Sequence, residues 1–233
     1  MKVTRIHILL IAFILVICMI PFRAQLRALV LPEGYSVSDR LSQFGPAVQK
    51  RLTPDFKRLD IAYPPSEIIL VGLKQEKLLE VWVPQPPKLL KSYPILGASG
   101  TLGPKLQEGD LQVPEGLYKI ESLNPNSMYH LALRINYPNP FDNIKGKLDG
   151  RENLGCDIMI HGKDCSVGCL AMGNPAAEEL FVLAAETGIE NISVILSPID
   201  FRSRELPAKM PKVPEWTSEL YVSIREKLMT LNH

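Results

Sequence analysis

Ile68-Ile69-Leu70-Val71-Gly72-Leu73 and Leu78-Leu79-Glu80-Val81-Trp82-Val83 flank the polar tetrapeptide Lys74-Gln75-Glu76-Lys77. Each run has strand length and β-branched character, and the polar interval reads as the turn of a hairpin. Working outward, Leu89–Gly97, Gly116–Glu121, Met128–Ile135, Asp157–His161 and Asn191–Leu196 are further strand candidates. Gly100–Gly116 between them is a long glycine- and proline-containing loop, and loops of this length tend to carry function. Asn174-Pro175 reads as the N-cap and first residue of a helix closed by Gly188, and Pro214–Leu228 as a final helix. Upstream, Ser38-Asp39 is positioned to cap a short helix through Leu41, Phe44, Val48 and Leu52, which Gly45-Pro46 interrupts. The fold class is mostly β with helical decorations, an α+β domain over residues 66–200. A helical lead-in spans 25–65 and a helical extension 201–233.

Composition narrows the function classes. Of 233 residues, 26 are Lys or Arg and 25 are Asp or Glu, so no broad basic footprint for nucleic acid exists. Four cysteines are too few for a disulfide scaffold. Lys2 and Arg5 precede the uninterrupted apolar run Ile8–Ile20. That pattern makes residues 1–24 a signal peptide or an N-terminal membrane anchor, and it places the body in the periplasm or cell envelope. Only Ala24 provides a small residue for cleavage, so an uncleaved anchor to the inner membrane stays open. Cys18 reads as an apolar filler of this run.

Reactive side chains concentrate in Ile160-His161-Gly162-Lys163-Asp164-Cys165-Ser166-Val167-Gly168-Cys169. A cysteine nucleophile needs its thiolate, which a nearby imidazole supplies. If the chain turns back at Cys165, His161 and Cys169 face one another. The Gly168 and Cys169 N–H groups would then suit an oxyanion. Two other readings remain open at this point: a disulfide among Cys156, Cys165 and Cys169, or a metal site from Asp157, His161, Cys165 and Cys169.

The stretch His161-Gly162 followed by Ser166-Val167-Gly168-Cys169 resembles the catalytic signature of the L,D-transpeptidases (YkuD-type domains). Leu78-Leu79-Glu80-Val81-Trp82, Gly103-Pro104-Lys105, Gly109-Asp110, Pro114-Glu115-Gly116-Leu117-Tyr118, Leu123-Asn124-Pro125 and Asn136-Tyr137-Pro138-Asn139 resemble its YafK-type branch. The resemblance covers about residues 60–205 and implies a β-sandwich or barrel catalytic domain. It implies Cys169 as the nucleophile that forms a thioester and His161 as its base, oriented by the Gly162 carbonyl. The Gly168 and Cys169 amides would be the oxyanion donors. The implied substrate is the stem peptide of peptidoglycan, attacked at the carbonyl of its third-position diaminopimelate, with no cofactor. The acyl group then passes to an amine, or to water in a hydrolase. The branch includes members that cut a lipoprotein–peptidoglycan linkage. The reading from a different class is a non-catalytic wall-binding module, against which the His161/Cys169 pair speaks.

Two positions depart from the family pattern. Val167 stands where many members have a second histidine, and Ala171 where they often have an arginine. Arg134 is the candidate to replace that arginine as a carboxylate partner, and Ser166 the candidate to position substrate through its hydroxyl. His130 is an alternative base. Lys105 and Asp110 either line a groove or are solvated loop charges. Cys165 reads as a small buried residue.

Overall fold

The structure, a computed structural model, describes residues 34–231. The N-terminal segment 1–24 and its expected role in export lie outside the described residues. Among those described, no helix is long and apolar enough to cross a membrane.

The chain begins with α1 (Val37–Leu59), a 23-residue helix. Its N-cap is Ser36, in a reciprocal capping box with Asp39, so the cap precedes the Ser38-Asp39 step that the sequence suggests. Pro46 and Pro54 lie inside it without ending it. Each removes a helical N–H and crowds the preceding turn, at about 3 kcal/mol. Both face outward, while Val48, Leu52 and Phe56 on the other face are buried in the main core, which holds the helix together across the prolines. The expected interruption at Gly45-Pro46 is therefore overridden by tertiary packing.

Strands β1 (Ile68–Leu73) and β2 (Leu78–Pro84) form the antiparallel hairpin, extended by β3 (Pro87–Pro94). The chain then runs through the long loop to β4 (Gly116–Asn124) and β5 (Ala132–Ile135). β5 starts four residues later than the alternation at Met128 suggests, because Ser127–His130 forms a turn with His130 at φ 80. Helix α2 (Pro140–Leu148) follows, opened by an Asn139/Asp142 capping box. Next come β6 (Met159–His161), β7 (Leu170–Ala171) and α3 (Asn174–Thr187). The N-cap of α3 is Gly173 rather than Asn174, whose side-chain oxygen instead accepts from the Lys163 N–H at 2.9 Å. β8 (Ile192–Ser197) and α4 (Thr217–Met229) complete the unit.

The strands form one mixed eight-stranded sheet in the order β3-β2-β1-β8-β4-β5-β6-β7. β4 pairs with β8 at its start and with β5 beyond, across a register shift between Ile120 and Ser122 that turns the corner. Past β3, Leu96 and Gly97 hydrogen-bond to the backbone of Ala171 on β7, so the two ends of the strand order meet as in a barrel. β1 is buried on both faces. Ile68 and Leu70 enter the main core with α1 and α3, whereas Ile69, Val71 and Leu73 enter a second cluster under Leu220, Tyr221, Ile224 and Leu228 of α4.

Candidate active site

Strand register assembles the reactive residues. β6 pairs in parallel with β7, so His161 lies beside Ala171, and β5 pairs with β6, so Ala132 lies beside His161 and Arg134 beside Met159. Two-residue periodicity then puts Arg134, Met159, His161, Ala171 and Cys169 on one face of the sheet, opposite the core-facing Leu133, Ile160 and Leu170. The hairpin-like reversal expected at Cys165 does not occur. Residues 162–168 instead loop around and return in the same direction, and the parity of the parallel pair brings Cys169 to the face of His161.

His161 is 2% exposed. Its Nδ1 lies 2.6 Å from the Gly162 carbonyl oxygen, so Nδ1 carries the proton and donates, leaving Nε2 free to accept. Burial holds the imidazole below its usual pKa, with the Gly162 hydrogen bond opposing. The Tyr129 ring covers it, centroid to centroid at 4.6 Å. Gly162 has no room for a side chain: a Cβ there would lie 2.6 Å from the Tyr129 carbonyl oxygen.

Cys169 is half-buried, and its sulfur accepts from the Met159 N–H at 3.4 Å. Burial raises the thiol pKa; the Met159 N–H lowers it and the Asp157 carboxylate adds to the rise. Both amides expected to face an oxyanion have partners. Gly168 N–H donates to Ser99 Oγ at 2.7 Å and Cys169 N–H to Ser166 Oγ at 3.0 Å. Gly168 adopts φ 81, which glycine reaches without strain.

Most of the remaining predicted residues are engaged in contacts of their own. Arg134 is paired with Glu121 and Asp157, each at 2.8 Å. Lys105 and Asp110 are paired with each other at 2.7 Å and are not solvated loop charges; Lys105 lines a cleft. His130 contacts Glu178 of α3 at 3.1 Å. Val167 is 70% exposed, and Ala171 is fully buried. Cys156, Cys165 and Cys169 are free thiols, and Cys165 is exposed rather than buried. No group of three or more His, Cys, Asp or Glu able to hold a metal gathers among the described residues. A cleft of about 130 Å³ reaches Gly168, the residue before Cys169, and is lined by Lys105, Leu111, Cys156, Asp157 and Val167 among others.

Ser99, Tyr129 and Met159 were not legible as site residues. Ser99 lies 69 positions from its Gly168 partner, and its one sequence signal is the small-residue run Gly97-Ala98-Ser99-Gly100 at the mouth of the long loop. That loop is tethered at its base. Glu115, 1% exposed, accepts from Gly103 N–H and Lys74 Nζ, each at 2.9 Å, and from the Tyr221 hydroxyl at 2.7 Å. Lys74 Nζ also donates to the Gly103 and Val113 carbonyls, each at 2.9 Å.

A family model described as the L,D-transpeptidase catalytic domain (YkuD) matches residues 66–193. YafK of Escherichia coli strain K12, itself assigned only provisionally as an L,D-transpeptidase, is 38% identical over 120 residues, 50% of this chain and 46% of that one. The protein of the O157:H7 strain matches to the same extent. The chain thus spans about half the length of the curated relatives it matches. Among solved structures, the helical cell shape determining protein Pgp2 of Campylobacter jejuni superposes with a TM-score of 0.46 at 23% identity, over 61% of this chain and 50% of that one. Bd1075 of Bdellovibrio bacteriovorus gives 0.42 at 21% identity, over 72% and 56%.

Proposed function

Because the chain belongs to the L,D-transpeptidase catalytic-domain family, matched over residues 66–193, we propose that it is a cysteine acyltransferase of peptidoglycan stem peptides in the cell envelope. The observation that carries this reading is the pairing of a tautomer-fixed His161, Nδ1 on the Gly162 carbonyl, with Cys169 on the same sheet face. His161 Nε2 takes the Cys169 proton as sulfur attacks the carbonyl carbon of the third-position diaminopimelate. The carbonyl electron pair moves to oxygen. On collapse the carbon–nitrogen bond breaks, and the leaving amine takes the proton from the imidazolium. A thioester remains. An acceptor amine then attacks it and returns the proton to sulfur through His161.

Hydrolysis, with water as the acceptor, is the second reading. Ala171 supplies no charge beside the nucleophile, and Arg134 would have to give up Glu121 or Asp157 to hold an acceptor carboxylate. A diaminopimelate linkage to a wall-bound lipoprotein is then a candidate donor. Ser166 and Arg134 remain proposed substrate contacts, no cofactor enters the scheme, and an uncleaved N-terminal segment would add the membrane as a partner.

The test is incubation with tetrapeptide-bearing muropeptides in heavy-oxygen water, followed by mass analysis. Dimers linked between two diaminopimelates indicate transfer, and one heavy oxygen in a new carboxylate indicates hydrolysis. Activity of either kind that survives Cys169→Ala overturns the assignment.

A further inference from the structure

Ser99 sits where the chain leaves β3 and enters the long loop, and its hydroxyl makes two hydrogen bonds at once. It accepts from Gly168 N–H at 2.7 Å and donates to the Leu111 carbonyl at 2.7 Å. A second acceptor for the Gly168 N–H must either share that hydrogen with Ser99 Oγ or displace it, and in both cases it comes within reach of the hydroxyl. An oxyanion formed at Cys169 that accepts from Gly168 N–H therefore comes to rest beside Ser99 Oγ.

The hydroxyl hydrogen is free to move there. Rotation about the Cβ–Oγ bond swings it from the Leu111 carbonyl to the oxyanion, a charge-assisted acceptor roughly twice as strong. Leu111 is 52% exposed, so water replaces the hydroxyl at its carbonyl. Leu111 also holds φ 59, a left-handed conformation that costs a leucine about 1–2 kcal/mol and that clusters at functional sites. The loop that presents Ser99 is a fixed support. Thr101 N–H donates to the Gln112 side chain across it at 3.0 Å, and Glu115 and Lys74 anchor its base.

We propose that Ser99 is a catalytic residue whose hydroxyl donates to the tetrahedral oxyanion at Cys169, alongside the Gly168 amide. The inference rests on the reading of Cys169 as the acylated nucleophile. No covalent bond of Ser99 changes. Its proton stays on Oγ throughout, donating to the oxyanion while the sulfur–carbon bond is formed, and returns to Leu111 when the carbonyl is restored.

The experiment compares two reactions of the same thiol in Ser99→Ala and Ser99→Thr. Iodoacetamide alkylates sulfur by displacing iodide and forms no oxyanion. A carbapenem acylates it through a tetrahedral intermediate as its lactam bond opens. In Ser99→Ala, alkylation of Cys169 proceeds at the wild-type rate while the limiting first-order acylation rate falls about 10²-fold, the usual loss for one oxyanion donor. Ser99→Thr, which keeps the hydroxyl, recovers most of it. Acylation that is unchanged or faster in Ser99→Ala overturns the proposal. So does an equal fall in both reactions, which marks a role in holding the loop. A wild-type protein that takes no carbapenem on Cys169 overturns the nucleophile assignment, and Ser99 with it. Normal wild-type acylation with an unaffected Ser99→Ala overturns Ser99 alone.

Discussion

Burial sets the protonation of the proposed nucleophile and base before substrate arrives. The Cys169 thiol is held above its ordinary pKa and the His161 imidazole below its own, so near neutral pH both are uncharged. In the proposed reaction, proton transfer from sulfur to Nε2 would then accompany attack rather than precede it. The sign of the pH dependence follows. Alkylation of Cys169 by iodoacetamide rises with pH through a midpoint above that of a free cysteine thiol, and the acid limb of carbapenem acylation lies below the ordinary imidazole value near 6.5. A flat alkylation rate between pH 5 and 7, the mark of a preformed thiolate, contradicts this. The candidate stretch from His161 to Cys169 stands out in the sequence because its reactive side chains are contiguous. The Met159 and Ser99 contacts come from strand register and loop return, which no local spacing encodes. The exposure of Cys165 was misread for a related reason: a small apolar thiol says nothing of which side of a loop it faces.

At the scale of elements, the patterns that survived were those in which burial and propensity agree. The β1–β2 hairpin, β8, α3 and α4 were all legible to within a few residues. The patterns that failed were those in which packing outweighs a local breaker, as in α1 at Pro46, or in which a turn residue interrupts an alternation, as His130 does before β5. The attachment of α1 also came from charge pairing that no single segment displays. Glu179 of α3, 4% exposed, meets Arg51 of α1 at 2.7 Å, and Lys91 and Tyr93 of β3 at 2.8 Å each. Glu179→Ala leaves those groups facing one another without their shared carboxylate. It should lower unfolding stability by about 3 kcal/mol, measured in urea, with Glu179→Gln intermediate. A loss below about 1 kcal/mol would show that solvent around the one-third-exposed Arg51 already screens the cluster.

For the molecule as a whole, Glu115 joins three parts that are distant in sequence: Lys74 at the end of β1, Gly103 in the long loop and Tyr221 on α4. Burial lowers the Lys74 pKa and the Glu115 carboxylate opposes that, so the pair is kept by its mutual contacts. Tyr221→Phe removes one hydrogen bond to a buried carboxylate and should cost about 1.5–3 kcal/mol of stability. Chemical denaturation with the mutant and wild type side by side measures it, and no change in midpoint refutes the coupling. A segment without regular structure is ordinarily where a protease enters. Tied to a buried carboxylate from one side and an ammonium from the other, residues 100–113 should instead resist limited digestion as a strand does. Cleavage there, in Tyr221→Phe before wild type, would time the release of the loop that holds Ser99 against Gly168 while the sheet is still intact.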